Sequence, residues 1–407
     1  MGDGYKFLFE KNKVFDSENL QLSLSQIEIL ENIILKNTDF FSILEGDIPL
    51  CKCINTNNVQ SQAVHNRMTL DEKLGREFLN NPIPWYIVLE LTTTCNLKCK
   101  HCYNHNDNSF IELDDIKKLF EMLDDNDNFM VCLTGGELFL HPNLFDILDY
   151  LQYKNKVIAL MTNATLLDEE KISKLKEYNI DHFYVSLYSM DSAKHDEITG
   201  IKGSYDKTIK NLMLLKDNGF SVDLSALITP FNKEVEGLIE FARSMQMQMR
   251  FCFKCLSNCE DSCINSVCDL STDEFSDVYK EYLSCFKKFE LIKKNTYNDH
   301  VCMAAMHRCV LGADGSLFLC PSWKTDYFVN VRDIKNFNEF WYSDKVKNIR
   351  NVSKNTFKKC SSCVAKDYCR PCMAANYNKN GDILSLNESH CELELLKFKL
   401  EKEFVSK

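Results

Sequence analysis

Cys95-Asn96-Leu97-Lys98-Cys99-Lys100-His101-Cys102-Tyr103 sets three thiols within eight residues, directly after the apolar run Trp85-Tyr86-Ile87-Val88-Leu89-Glu90-Leu91. That run is β-branched and aromatic enough to predict a buried strand. A strand feeding a thiol-rich loop is a place to hold metal. Structural zinc and iron–sulfur sites are normally closed by four ligands, and this loop offers three. Either one coordination position stays open, or a structural zinc takes its fourth ligand from elsewhere, or the three are unrelated core cysteines.

The bulk numbers narrow the setting. A chain of 407 residues has room for two or three domains and an ample core. Its composition, 45% hydrophobic and 26% charged, is that of an ordinary globular protein, and no apolar run is long enough to span a bilayer. Met1-Gly2-Asp3-Gly4-Tyr5-Lys6 is followed by no continuous apolar segment, so neither signal peptide nor anchor is expected and the chain reads as cytoplasmic. A net charge of −11 without a basic stripe argues against nucleic acid or anionic membrane as the partner. The 20 cysteines, in a reducing compartment, read as metal ligands rather than disulfides.

Residues 1–80 read as a separate small α+β piece. Tyr5 to Leu20 has strand-like runs, a Ser-capped helix is expected over Leu22–Ile34, and a short one over Phe40–Leu44. At the level of fold it is similar to a winged-helix-like module that grips leader peptides, with an unrelated helical cap as the other reading. After Pro82-Ile83-Pro84, a rigid entry, strand-like runs recur at 85–92, 129–134, 156–162, 181–187, 221–228 and 248–254. Amphipathic helical patterns fall between them at 112–124, 142–152, 168–177, 204–217 and 233–245. Six βα repeats predict an α/β fold, a partial (β/α)6 TIM-like barrel over residues 81–255, with candidate ligands just after the strands. A cysteine-rich bridge is expected at 256–300 and a cysteine-rich C-terminal domain at 301–407.

After the second predicted strand comes Leu133-Thr134-Gly135-Gly136-Glu137. Two glycines let a backbone approach a ligand closely, and the carboxylate can hold an amino group. Together with the cysteine loop this resembles the radical S-adenosyl-L-methionine (radical SAM) enzymes. Their C-x3-C-x2-C motif matches Cys95, Cys99 and Cys102, with His101 in the aromatic position, and their GGE motif matches Gly135, Gly136 and Glu137. The resemblance implies a 4Fe-4S cluster whose open iron chelates SAM, and electron transfer that releases a 5′-deoxyadenosyl radical. Ser186, in Val185-Ser186-Leu187-Tyr188-Ser189, stands at a SAM-contacting position of the family. His195-Asp196-Glu197-Ile198-Thr199-Gly200 matches a recurrent HDxxxG stretch. Tyr188 stands where many relatives carry Asp, and Thr199 replaces an Arg found in some. Asn163 and Asn232 are candidate polar contacts at the same rim, or turn-capping asparagines.

A second cysteine system follows: Cys302, Cys309 and Cys320, then Cys360, Cys363, Cys369 and Cys372, then Cys391, with Gly315 five residues before Cys320. The order resembles the SPASM extension of peptide-modifying radical SAM enzymes, which holds two auxiliary 4Fe-4S clusters. Eight thiols suit two fully ligated clusters; two zinc sites are the alternative. The resemblance implies one cluster on Cys302, Cys309, Cys320 and Cys372, and another on Cys360, Cys363, Cys369 and Cys391. Only Arg370-Pro371 separate Cys369 from Cys372, one residue fewer than usual in the family. Cys252, Cys255, Cys259, Cys263 and Cys268 are not required by the pattern; extra metal, thiol exchange and inert lining are all open.

The resemblance implies a peptide maturase, similar to the thioether-forming sactisynthases, that abstracts hydrogen from a leader-bearing precursor and forms a cross-link, a cysteine thioether being the expected product. A reductant such as flavodoxin or ferredoxin would feed it. One alternative is a formylglycine-forming sulfatase maturase, disfavoured because the cluster loop begins some 90 residues in and because Pro321 replaces that group's acid. The other is a non-enzymatic iron–sulfur carrier or scaffold, which leaves Gly135-Gly136-Glu137 without a reason.

Overall fold

The computed structural model describes residues 82, 84, 86–102, 104, 107–123, 130–254, 268–286, 301–302, 304–323 and 329–406. The module expected at 1–80, and Cys255, Cys259 and Cys263, lie outside them.

The six expected repeats form. In order they are β1 (Tyr86–Thr92), α1 (Leu113–Met122), β2 (Met130–Gly135), α2 (Leu144–Tyr153), β3 (Val157–Thr162), α3 (Glu169–Leu175), β4 (Ile180–Ser186), α4 (Ser192–Thr199), α5 (Ser204–Asp217), β5 (Val222–Leu227), α6 (Glu236–Ser244) and β6 (Met249–Cys252). All six strands pair in parallel in chain order, as crossover helices require. Helix starts are set by side chains: Asp168 accepts from Lys171 N and Asp191 from Lys194 N, each cap contributing roughly 1 kcal/mol. Helix α4, which the periodicity did not predict, occupies the His195–Thr199 stretch.

The chain continues through α7 (Thr272–Ser284), β7 (Arg308–Leu311), β8 (Ser316–Phe318), β9 (Val329–Asn330), α8 (Phe337–Trp341), α9 (Asp344–Arg350), α10 (Lys358–Ser361), α11 (Met373–Asn380) and α12 (Glu388–Val405). The sheet extends past the expected barrel. Strand β7 pairs in parallel with β1, β8 and β9 add antiparallel, and the sheet has nine strands in the order β6-β5-β4-β3-β2-β1-β7-β8-β9. The cysteine-rich C-terminal region is thus hydrogen-bonded to the first barrel strand. Arg332 forks onto the buried Asp115 of α1 at 2.8 and 2.5 Å, and Trp341 Nε1 and Tyr342 OH both donate to Pro82 O.

Strand alternation divides the sheet into two faces. Ile87, Leu89, Val131, Leu133, Ile158, Leu160, Phe183, Val185, Leu224, Ala226 and Phe251 pack with helix residues such as Leu119, Leu148, Leu215 and Ile239 into one apolar core. Each fully buried Leu, Ile or Phe contributes about 1.5–3 kcal/mol. The opposite, lumenal face carries Val88, Glu90, Cys132, Thr134, Tyr184, Ser186, Asp223 and Arg250, as the strand registers fix. Among the described residues no helix is long and apolar enough to cross a membrane.

Candidate metal and cofactor site

The cysteine loop leaves the C-terminal end of β1 and is held from two sides by backbone. On one side Gly136 N donates to Thr92 O at 2.6 Å and Glu137 N to Thr94 O at 2.9 Å. A Cβ on Gly135, whose φ is +133°, would lie 2.3 Å from Thr92 O, and one on Gly136 would lie 2.2 Å from Thr94 O. The glycines therefore have a packing reason, closeness to the β1 backbone, before any ligand is considered. On the other side the last carbonyls of α4 accept from the loop: Thr199 O from Lys98 N at 2.8 Å and Ile198 O from Lys100 N at 2.9 Å. These carbonyls have no partner within their own helix, so the loop completes α4 while α4 shapes the loop. Gly200, in the left-handed region, lets Lys98 O come close. The HDxxxG stretch thus acts as a clamp. Its Asp196 accepts from Gly203 N, Ser204 Oγ and Tyr205 N, folding the turn into α5.

A polar shelf lies under the loop. The fully buried carboxylate of Glu137 accepts from Thr162 Oγ1 at 2.7 Å, Asn163 N at 2.9 Å and Phe139 N at 3.2 Å. Burial pushes this carboxyl up, and those donors pull against it. Asn163 Nδ2 donates to Asn96 Oδ1 at 3.0 Å and stands 4.0 Å from Cys95 Sγ, while Asn96 Nδ2 donates to Thr165 Oγ1 at 2.7 Å. Asn163 also bonds Thr165 N as turn asparagines do. Asn232 joins Thr229, Leu227 and Tyr188 backbone, which is the turn-stapling alternative.

Cys99 lies within the fields of Cys102 and Cys95, and Cys95 within that of Cys102. Burial raises all three, and Cys99 reaches about 12, with Cys102 and Cys95 adding to the burial effect. Mutual repulsion of thiolates is relieved by a bound cation, which takes cysteine deprotonated. Leu97 N already donates to Cys95 Sγ at 3.4 Å, and such bonds to sulfur tune an iron–sulfur site. The donor set, three half-buried thiols on one short loop, fits a cluster with one open iron. Among the described residues no three His, Cys, Asp or Glu side chains are gathered as a single-ion site. His101, pushed down to about 4 by burial, is a neutral ring standing edge-on to Tyr188 with centroids 4.6 Å apart. Ser186 stands at the end of β4, half-buried.

The lumenal face holds residues that sequence reasoning missed. Asp223 Oδ2 lies 3.2 Å from both His182 Nε2 and Arg250 Nη2, Arg250 Nη2 donates to Tyr184 OH at 3.1 Å, and its guanidinium is 4.2 Å from the Tyr184 ring centre. Buried charges persist only when paired. The signal is the polar alternation His182, Tyr184, Ser186 inside the strand-like run at 181–187.

In the C-terminal region Cys360, Cys363 and Cys391 lie within electrostatic reach of one another. Burial raises Cys360, with the charges of Cys391 and Cys363 adding to it, and Cys391 likewise feels Cys363. Cys372 caps α11 with its Sγ accepting from Ala375 N at 3.4 Å, and Cys302 Sγ accepts from Ala304 N at 3.3 Å. Cys369 and Cys320 are half-buried. Lys254, just past β6, lies within the fields of both Cys372 and Cys391. Cys309 stands apart: it is fully buried in the helix-side core, and burial pushes its thiol up with no other thiol contributing. Cys252 is exposed, and Cys268 is buried against Lys100 O behind the loop.

Residues 89–242 match the Radical SAM superfamily model. The antilisterial bacteriocin subtilosin biosynthesis protein AlbA of Bacillus subtilis (strain 168) is 36% identical over 185 residues, 44% of this chain and 40% of that protein, so the match spans less than half of this relative's length. An AdoMet-dependent heme synthase of Methanosarcina barkeri (strain Fusaro / DSM 804) is 22% identical over 76% of this chain and 96% of its own. The crystal structure of Streptococcus suis SuiB bound to its precursor peptide SuiA superposes with a TM-score of 0.60 at 17% identity, covering 90% of this chain and 89% of that one, a likeness of fold. The barrel, the three-thiol loop and the glycine pair against it are the frame of that domain, and residues 89–242 of the chain form a radical SAM domain.

Proposed function

We propose that the chain is a radical SAM peptide maturase that removes hydrogen from a residue of a ribosomally made precursor and forms a cysteine thioether. The observation that carries the reading is the joining of the cysteine-rich C-terminal region to the barrel by β7, with Cys360 in the fields of Cys391 and Cys363, and Cys391 in that of Cys363. The similarity to AlbA supports the peptide class. In this reading Cys95, Cys99 and Cys102 hold the SAM-binding 4Fe-4S cluster, and Cys360, Cys363, Cys369 and Cys391 hold an auxiliary one. Cys302, Cys320 and Cys372 hold a second auxiliary cluster, while Cys309 serves the core. Together they would supply the 5′-deoxyadenosyl radical and an acceptor for the surplus electron.

The chain's own residues have definite tasks. Gly135, Gly136 and the end of α4 fix the loop, and Glu137 with Asn163 orders the shelf beneath it. His101 and Ser186 line the mouth on the SAM side. Asp223, Arg250 and Tyr184 keep the lumen polar and prearranged, so that a docked side chain meets fixed dipoles rather than mobile water. The net change on the peptide is the loss of two hydrogens as one C–H and one S–H are replaced by C–S. Residues 1–80 would bind the leader and raise the local peptide concentration, with flavodoxin or ferredoxin as electron source.

The test is incubation of the reconstituted enzyme, SAM and a low-potential reductant with a cysteine-bearing precursor encoded beside the gene. A mass loss of two hydrogens per cross-link is expected. SAM cleavage with an unchanged peptide mass, and turnover of an iron porphyrin in a parallel reaction, would transfer the enzyme to the chemistry of its heme-synthase relatives.

A further inference from the structure

Ala164, in the turn between β3 and α3, is fully buried and has a φ of +61°. That left-handed conformation suits glycine, and for an alanine it is disfavoured by about tenfold. Bonds on both sides hold the backbone there. Thr208 Oγ1 donates to Asn163 O at 3.0 Å and Asn211 Nδ2 to Ala164 O at 2.7 Å. Two side chains three residues apart on one face of α5 thus hold the two carbonyls that flank the strained residue. Ala164 N donates to Thr162 Oγ1 at 2.9 Å, and Ala164 O accepts a longer bond from Leu167 N at 3.3 Å. Thr208 and Asn211 are buried, which keeps water from standing in for either bond. The conformation has a consequence one residue away on each side. Asn163 Nδ2 donates to Asn96 Oδ1 at 3.0 Å, and Thr165 Oγ1 accepts from Asn96 Nδ2 at 2.7 Å. Both neighbours of Ala164 therefore hold the same side chain of the cysteine loop, and reversing the torsion between them would part them.

We infer that Asn211 is a positioning residue for the SAM site: with Thr208 it keeps Ala164 left-handed, so that Asn163 and Thr165 together fix Asn96 and with it the start of the cysteine loop. It acts through the turn and through Asn96, not by contact with the cofactor. Helix α5 is suited to the task because it is itself tied to the other flank of the loop. Asp196 of α4 accepts from Gly203 N, Ser204 Oγ and Tyr205 N at the start of α5, and the last carbonyls of α4 accept from Lys98 N and Lys100 N. Both flanks of the cysteine loop are thereby fixed to one pair of joined helices. The inference rests on Cys95, Cys99 and Cys102 holding the cluster that binds SAM.

The experiment measures SAM binding to the anaerobic holoenzyme by equilibrium dialysis for Asn211→Ala in two backgrounds, wild type and Ala164→Gly, each against its own parent. Glycine takes a positive φ without bracing, so it should rescue the lost bond. Affinity is expected to fall by about tenfold in the alanine background and to change by less than about twofold in the glycine background. An equal loss in both backgrounds, or no loss in the first, would overturn the inference, because a role in stability alone gives one or the other. If Asn211→Ala does not fold, Thr208→Val removes the other α5 donor and is read in the same two backgrounds by the same criteria. A crystal structure of Asn211→Ala needs no SAM. It is expected to show Ala164 at negative φ with Asn163 withdrawn from Asn96, and an unchanged turn would overturn the inference as well. A wild-type holoenzyme that binds no SAM would instead sink the cofactor assignment, and the crystal structure would then decide whether Asn211 holds the turn.

Discussion

Glu137→Gln tests the shelf beneath the cysteine loop. Oε1 of Glu137 accepts from Thr162 Oγ1 and Phe139 N, and Oε2 accepts from Asn163 N. A glutamine can keep the first two on its carbonyl, but its NH2 group then faces the Asn163 amide. One buried donor loses its acceptor, a cost of about 1–3 kcal/mol. Glu137→Ala strands all three donors, about 3–9 kcal/mol on the same scale. Anaerobic urea denaturation followed by far-UV circular dichroism reads the difference: at an m-value of about 2 kcal/mol per M, the Gln variant's midpoint falls by about 0.5–1.5 M. Because Asn163 in turn holds Asn96 of the loop, SAM affinity should fall in parallel. Midpoints of both variants within about 0.3 M of wild type, with SAM binding abolished, would show the carboxylate to be a ligand contact alone and refute the shelf.

Other consequences are separable. Cys363→Ala should cost one cluster, about four irons per chain by chemical analysis, whereas Cys309→Ala should keep its iron and lose about 1–2 kcal/mol of stability as a small core cavity. Burial pushes His195 down to about 4 from an ordinary 6.5. The unfolded chain therefore binds this proton first, and stability is full above pH 6.5 and declines as pH falls toward 4, by up to about 3 kcal/mol. In His195→Gln that segment of the pH–stability curve should flatten, and an unaltered curve would exclude His195 as its source.

The six strands and five of the helices lie within a few residues of their periodic patterns, because local alternation and caps act over one turn or one strand. Helix α4 escaped because Ser192–Thr199 buries only three residues, His195, Ile198 and Thr199, and two of these are polar. Strand β7 escaped for another reason. Arg308–Leu311 is four residues long, and what makes it a barrel strand is its parallel register with Tyr86–Leu89, more than 200 positions earlier.

The sequence alone determined the chemistry available: three thiols at cluster spacing after a strand, a glycine pair and acid one βα unit later, and a second thiol series. Those follow from residue type and local spacing, which the chain carries wherever it folds. Only the tertiary structure decided what each residue does. It turned the glycines into a seat for the β1 backbone, buried Glu137 under three donors, made HDxxxG a clamp, and separated Cys309 from the other thiols. The physical reason is the same throughout: hydrogen bonds and mutual charge between residues tens to hundreds of positions apart depend on distance in space, and no local pattern encodes it.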